Sequence, residues 1–186
     1  SETVWHQADK YRVPKIAFVN KLDRVGADFF GTIAMMRQRL GANPLIMEIP
    51  VGNEDAFEGV IDLLKMKQLI WEDETLGATF SENDIPEALR ESANEYRDRL
   101  VETVAEFDDE IMEAYLAEEP VSNEKLVFAI RLATIGLKVV PVFCGAALRN
   151  KGIQPLLDGI VSFLPNPLET PPVQGVEPDS GKVMIS

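Results

Sequence analysis

The strongest constraint on the fold is a strand, a polar loop and a helix that follow one another twice along the chain. The first unit covers residues 15–40 and opens with KIAFV, and the second covers residues 138–164 and opens with KVVPVFCG. Continuous apolar runs such as these are typical of strands buried on both faces of a helix-covered parallel sheet. The two units therefore predict an α/β fold with a parallel sheet. Pro141, inside the second run, argues against a fully paired central position for that strand, or else marks an irregularity in it.

A long stretch, residues 42–137, separates the two units and predicts a subdomain of its own. Its first half contains PLIMEIPVG, GVIDLLKMKQLIWED and GATFSEND, which predict short strands or a hairpin. Its second half predicts a long helix at 86–107 and two shorter helices at 109–116 and 122–135. We therefore expect an inserted, acidic α+β subdomain. Residues 167–186 are rich in Pro, Gly and acidic residues, which is typical of a linker.

The negative charge of the sequence is concentrated in the predicted insert. From Glu54 to Lys125 there are 22 acidic and 6 basic side chains, a local balance of −16 within a formal net charge of −13. Such a surface repels phosphate backbones, which argues against direct binding of this segment to DNA or RNA. Two interpretations stay open: a solvated face, or a docking surface for a basic or amphipathic partner.

Targeting signals and cysteine content indicate the cellular compartment in which such a chain is expected. No apolar run approaches the length that crosses a membrane, and the sequence does not open with a basic segment followed by an apolar one. Cys144 is the single cysteine, so an internal disulfide has no partner and a reducing setting is expected. The sequence therefore predicts a cytoplasmic protein without membrane contact, with an organellar matrix as the alternative. Because it opens inside a predicted helix, residues 1–11, it also resembles a piece of a longer protein.

Both predicted parallel strands end in polar loops, NKLD at 20–23 and CGAALRNKG at 144–152. In open α/β sheets, ligands bind in the crevice beyond the carboxyl ends of the strands. There Asp23 can accept two parallel hydrogen bonds, which matches the ring N–H and amino group of guanine but no edge of adenine. The amide of Asn20 suits guanine N7 and O6, and the stem of Lys21 can lie across the base while its ammonium stays in water. The alternative is an Asn-Asp turn that caps the next helix.

The segments around these two loops resemble translation elongation factor G, the family of ribosomal translocases. The likeness is carried by SETVWHQADKYRVPKIAFVNKLDRVGADFF and VVPVFCGAALRNKGIQPLLDGIVSFLPNP, with IPVGNEDAFEGVIDLLKMKQLIW and GATF in the insert. VNKLDR alone would indicate only a GTPase, whereas the insert and the NKGIQPLLDGIVSFLP helix make the match specific. The resemblance implies a partial P-loop-GTPase-type parallel sheet. Residues 1–41 and 138–166 would belong to the GTPase domain, 42–137 would form the inserted subdomain, and 167–186 would lead towards the next domain.

The resemblance also implies which residues bind nucleotide and what the longer protein does. The guanine-binding residues would lie in the first loop and in a second base-contacting loop: Asn20, Lys21, Asp23, Ala146, Ala147 and Leu148. The longer protein would bind GTP and GDP with Mg²⁺ and couple GTP hydrolysis to movement of tRNA and mRNA on the ribosome. Its insert would contact the ribosomal stalk protein. The alternatives are a related ribosome-protection or recycling GTPase and, for the isolated piece, a non-catalytic acidic interaction module.

Two departures from the family pattern limit what this segment can do. The family usually has Ser where this chain has Ala146, so a hydroxyl contact is missing and weaker binding of the base is expected. The resemblance implies that the Ala147 N–H would still face guanine O6. The phosphate-binding pattern GxxxxGK[ST] does not occur in the sequence, and that pattern supplies the backbone cradle and a Mg²⁺ ligand. The segment is therefore expected to hold no catalytic residue or metal ligand and to be inactive alone.

Overall fold

The helices and strands of the chain are seen in a computed structural model that describes residues 2–72, 77–169, 174–176 and 183–185. The α-helices in these ranges are α1 (Glu2–Lys10), α2 (Phe29–Leu40), α3 (Glu87–Ala105), α4 (Asp109–Leu116), α5 (Asn123–Ile135) and α6 (Ile153–Phe163). The strands are β1 (Ala17–Val19), β2 (Pro44–Ile46), β3 (Glu48–Val51), β4 (Gly59–Asp62), β5 (Lys67–Trp71), β6 (Phe80–Asn83), β7 (Val140–Cys144), β8 (Gln174–Val176) and β9 (Val183–Ile185). None of the described helices combines the length and the apolar character that crossing a membrane requires.

β1, β7 and β2 form a parallel sheet in which β7 is the middle strand. The predicted α/β fold with a parallel sheet is therefore confirmed. Val19 and Cys144, the last residues of β1 and β7, lie opposite each other in the register. The loops that follow these strands consequently begin side by side, at the edge where open α/β sheets bind ligands.

β7 is the middle strand although Pro141 argues against a fully paired central position, and at this residue the strand is paired on one side only. On the β2 side, the Val140 N–H donates to the carbonyl of Asn43 at 2.9 Å. Successive residues of a strand point their N–H groups to opposite sides, so the N–H that Pro141 lacks would point towards β1. Pairing with β1 begins only one residue later, where Ala17 lies opposite Val142. The proline ring thus falls where the ladder needs no donor.

The predicted strand PLIMEIPVG divides into β2 and β3, which belong to different sheets. β2 falls within the range predicted for the insert, yet it pairs with β7. β3, β4, β5 and β6 form an antiparallel sheet in that order, which confirms the short strands predicted for the insert. Met47, between β2 and β3, is buried and its N–H donates to Val142 O at 3.0 Å. The chain therefore passes from one sheet to the other at Met47, while still held against β7.

Helices α3, α4 and α5 lie in the second half of the range predicted for the insert, close to the positions predicted. The Asp108 carboxylate accepts from Ile111 N at 3.0 Å, and the Ser122 hydroxyl accepts from Lys125 N at 3.3 Å. α4 and α5 therefore begin at side-chain N-caps. One cluster of buried apolar residues extends from these helices to β7 and α6; it includes Leu100, Ile111, Leu126, Ile130, Phe143 and Phe163. The helices of the range predicted for the insert and the parallel sheet thus share a hydrophobic core.

Glu48 in β3 is a buried carboxyl group where the two sheets meet. It is 1% exposed, and its Oε2 accepts from Cys144 N at 3.2 Å. Oε1 has no hydrogen-bond partner among the described residues. Burial raises the pKa of Glu48 well above its ordinary range; the Cys144 N–H opposes this rise, and nearby Asp62 adds to it. The folded protein therefore holds a proton on Glu48 at pH values where an exposed carboxyl group is ionised.

Glu48→Gln is expected to flatten the pH dependence of stability. Because the pKa is raised in the folded state, the stability linked to Glu48 is fully present below the ordinary carboxyl pKa of about 4.3 and falls as the pH rises towards the raised value. Burial also raises the pKa of Asp62, and Asp62 is present in both proteins. Urea denaturation from about pH 5 to pH 8 should therefore show a shallower loss of stability in the variant. Equal slopes would show that Glu48 titrates as an ordinary carboxyl group.

Candidate nucleotide-binding site

Asn20 links the two loops that the sequence singles out. It directly follows β1, and its Oδ1 accepts from Ala147 N at 3.0 Å, 127 residues further along the chain. The same oxygen accepts from the N–H of Lys21 at 2.7 Å. One amide oxygen therefore holds the first loop against the second at the carboxyl edge of the parallel sheet.

The first loop turns sharply at Lys21, which has a left-handed backbone conformation with a φ of 65°. The next residue, Leu22, is buried, and its N–H donates to Gly145 O at 3.1 Å. This second bond between the loops leaves the Lys21 side chain on the surface, where it is exposed. The role predicted for Lys21, with its methylene stem across the base and its ammonium in water, requires an exposed side chain.

Asp23 is a largely buried carboxylate that pairs with the second loop. It is 8% exposed, and its Oδ2 lies 3.2 Å from Arg149 Nε. The alternative interpretation, a turn that caps the following helix, is wrong because α2 is capped by Asp28, whose Oδ1 accepts from Gly31 N at 2.8 Å. The Arg149 side chain is 47% exposed, so water screens the ion pair and its contribution to stability is small. Its effect is to orient the carboxylate.

The predicted second base-contacting loop, Ala146 to Leu148, is a tight backbone turn. Ala146 is 1% exposed and exchanges two hydrogen bonds with Lys151: its N–H donates to Lys151 O at 3.0 Å, and its carbonyl accepts from Lys151 N at 3.2 Å. Ala147 and Leu148 begin a 3₁₀ turn, in which the Leu148 side chain is 84% exposed. All six residues predicted to bind guanine therefore lie in two adjoining loops.

The Ala147 N–H already has an acceptor in the first loop. The resemblance implies that this N–H would face guanine O6, and here it donates to Asn20 Oδ1. Backbone N–H groups are strong donors that take an acceptor where one is within reach, and the Asn20 amide oxygen provides it. A base that binds as predicted must therefore share or replace this hydrogen bond.

Asn20→Ala is expected to loosen the second loop. The N–H groups of Lys21 and Ala147 would lose their acceptor, at a cost of about 1 kcal/mol in unfolding free energy, because both groups can turn to water instead. Asn20→Asp is the matched control, since a carboxylate oxygen can accept the same two bonds. In amide hydrogen exchange, Ala147 should lose protection in Asn20→Ala alone. Equal protection in all three proteins would show that this bond does not hold the loop.

Arg149 and two glycines are site residues that the sequence did not single out. A Cβ at Gly145 would lie 2.2 Å from Lys151 O, and one at Gly152 would lie 2.3 Å from Cys144 O. Only glycine fits at these two places, where backbone crosses backbone. The glycines bracket the loop in the sequence and could have been found from that spacing. Arg149 is recognised only once the first loop is placed beside it.

Comparisons with known proteins identify the family. Residues 1–166 match the family model described as the elongation factor Tu GTP binding domain. The chain is 50% identical over its whole length to elongation factor G of Amoebophilus asiaticus (strain 5a2), and it spans 26% of that protein. A crystal structure of a protein from Thermus thermophilus matches 97% of the chain at 28% identity with a TM-score of 0.78, over 28% of that protein. The chain therefore belongs to the elongation factor Tu GTP-binding domain family of translational GTPases, as its resemblance to elongation factor G predicts.

Proposed function

We propose that this chain supplies guanine recognition to a translational GTPase of the elongation factor G type. The observation that supports this most strongly is the hydrogen bond from Ala147 N to Asn20 Oδ1 at 3.0 Å, which joins loops that are 127 residues apart. Asp23, a largely buried carboxylate, is paired with the same second loop. An amide, a carboxylate and backbone N–H groups at one edge of the sheet suit the donors and acceptors of guanine.

Asp23 would discriminate between guanine and adenine. Its two oxygens can accept the guanine ring N–H and amino group together, and a carboxylate has about four acceptor positions, so Arg149 can stay paired. Adenine presents a ring acceptor in place of the ring N–H and would leave a poorly hydrated carboxylate without its donors. Sites that are built around a polar partner reject analogues that lack it by about 10⁴ or more.

The remaining predicted residues would hold the plane and the opposite edge of the base. Asn20 can donate from Nδ2 to N7, and Ala147 N can turn from Asn20 to O6. The missing hydroxyl at Ala146 removes one contact, but the turn is shaped by its backbone bonds to Lys151. The preference for guanine should therefore persist, although the affinity for the base is lower. Lys21 would cover one face of the ring.

The chain by itself is expected to bind GDP weakly. Phosphate contacts are central to nucleotide binding in these GTPases, and the sequence contains no GxxxxGK[ST] pattern. Isothermal titration should give a dissociation constant far above micromolar for GDP and no detectable heat with ADP. Submicromolar GDP affinity would contradict the dependence on phosphate contacts, and equal binding of ADP would contradict guanine recognition.

In the full-length factor, we propose that GTP hydrolysis is coupled to movement of tRNA and mRNA on the ribosome. The 50% identity to elongation factor G supports this role. The described residues contain no group of three or more His, Cys, Asp or Glu placed to hold a metal ion. Such a factor would work where ribosomes are, in the cytoplasm or an organellar matrix. An mRNA-translocation assay separates this role from those of ribosome-protection and recycling factors, which should not advance the mRNA.

The insert, predicted at 42–137, is proposed to contact the ribosomal stalk protein. Its local charge of −16 between Glu54 and Lys125 supports docking of a basic partner. Isothermal titration of the chain with the C-terminal domain of the stalk protein tests this, with an unrelated basic protein of similar size as control. Binding of the stalk domain alone supports the contact, whereas equal binding of both proteins would favour a nonspecific acidic interaction module.

A further inference from the structure

A cavity of about 530 Å³ lies between the antiparallel sheet and helices α5 and α6. Much of its wall is apolar, with side chains from both parts of the fold, such as Leu64, Leu69, Phe80 and Phe163. Cavities of this size and character are typical of sites for drug-sized molecules. The residues that line it do not include those of the two nucleotide loops, so it is a separate place on the protein.

Glu48 lines this cavity, and one of its carboxyl oxygens is left unpaired by the fold. The residue is 1% exposed, and Oε2 accepts from Cys144 N, while Oε1 has no partner within the part of the chain that is described. Buried polar atoms nearly always have a hydrogen-bond partner. The unpaired Oε1 of Glu48 therefore indicates that a bound ligand supplies the missing hydrogen bond.

The charged groups around the cavity favour a cation. Three further carboxyl groups lie on the wall: Asp62, Glu124 and Asp158. Lys65 also lies there, but its ammonium is paired with Glu82 Oε1 at 2.8 Å. The net negative surroundings repel an anion and attract a positive group. A nearby cation also favours the ionised form of a carboxyl group such as Glu48.

We propose that this cavity binds a drug-sized amine whose apolar ring system lies against Phe80 and Phe163 and whose ammonium donates to Glu48 Oε1. The ring system would cover the apolar wall, and the ammonium would pair with Oε1 as Glu48 releases to solvent the proton that it holds before binding. An alcohol of the same shape would make a weaker, neutral hydrogen bond, and a carboxylate would be repelled. This proposal does not depend on the nucleotide site.

Three naphthalene compounds of nearly equal size test the preference for a cation. Isothermal titration of the chain would compare 2-naphthylmethylammonium, 2-naphthylmethanol and 2-naphthoate. The ammonium compound should bind about tenfold more tightly than the alcohol, because hydrogen bonds to charged groups are stronger by about that factor. The carboxylate should bind most weakly. Equal binding of the ammonium compound and the alcohol would overturn the proposal.

Substitutions in the chain locate the site. Glu48→Gln should remove the tenfold preference and leave the affinity for 2-naphthylmethanol within about threefold, because only the charged partner is lost. Ser162 also lines the cavity, and Ser162→Phe should fill it and abolish binding of all three compounds. The matched control is Ser92→Phe, which makes the same change at an exposed position on α3 and should leave binding intact.

The outcomes distinguish the cavity from other places of binding. An ammonium preference that persists in Glu48→Gln, or binding that survives Ser162→Phe, would overturn the proposal. Should Glu48→Gln fail to fold, as shown by circular dichroism, the ligand series and the Ser162→Phe and Ser92→Phe pair still decide it.

Discussion

Asp23→Asn in the full-length factor is expected to change its nucleotide preference from guanine to xanthine. Xanthine carries a carbonyl where guanine carries its amino group, and it keeps the ring N–H. An amide can accept from that N–H and donate to that carbonyl, whereas two carboxylate oxygens can only accept. The affinity for GTP should fall by about 10⁴ relative to that for XTP, because the amide matches the ring N–H and carbonyl of xanthine but not the two donors of guanine. Competition between GDP and XDP for the purified variant measures this ratio.

Asp28→Asn is the matched control for the Asp23 substitution. It makes the same chemical change five residues away, at the N-cap of α2, where Asn caps a helix as well as Asp does. The control should keep the guanine preference and the stability of the wild type. A GTP to XTP ratio that stays unchanged in Asp23→Asn would overturn the role proposed for Asp23.

Gly152→Ala is expected to destabilise the second loop and the fold around it. Gly152 has a φ of 85°, and a Cβ there would lie 2.3 Å from Cys144 O, a backbone atom of the middle strand. The left-handed conformation costs an alanine about 1–2 kcal/mol, and the collision adds about 1–3 kcal/mol of strain. Urea denaturation should therefore show a loss of about 3 kcal/mol in unfolding free energy.

Gly41→Ala separates the two causes of that loss. Gly41 also has a positive φ, of 60°, but a Cβ there meets no atom within 4 Å. The control should lose only the conformational part, about 1–2 kcal/mol. It should also leave the amide of Ala147 unchanged in NMR spectra, whereas Gly152→Ala should shift it. Equal losses in the two variants would show that the close approach to β7 is relieved by movement of the loop.

Much of the fold and the two site loops could be predicted because their signals are local. The apolar runs before Asn20 and Gly145 mark the strands, and the polar residues that follow them mark the edge where ligands bind. The helices predicted at 109–116 and 122–135 lie at those positions within one residue. Their apolar spacing and capping residues are read directly from the sequence.

The remaining features depend on contacts between distant segments. Pro141 fits the middle strand only because β1 begins to pair one residue later. Arg149 reaches Asp23, and Glu48 is buried against Cys144, through packing that no sequence period records. The bond between Ala147 and Asn20 likewise joins groups 127 residues apart. Local propensity does not contain such information.

An NMR titration of this chain with GDP, and with ADP as the matched nucleotide, observes guanine recognition most directly. The two nucleotides differ only in the base, and NMR detects weak binding. GDP should shift the amides of Lys21, Ala147 and Leu148 in a saturable manner, with Ala147 shifting most because its bond to Asn20 must be shared or replaced. ADP should leave all three in place. Equal shifts with both nucleotides, or GDP shifts that avoid these loops, would contradict guanine recognition by this chain.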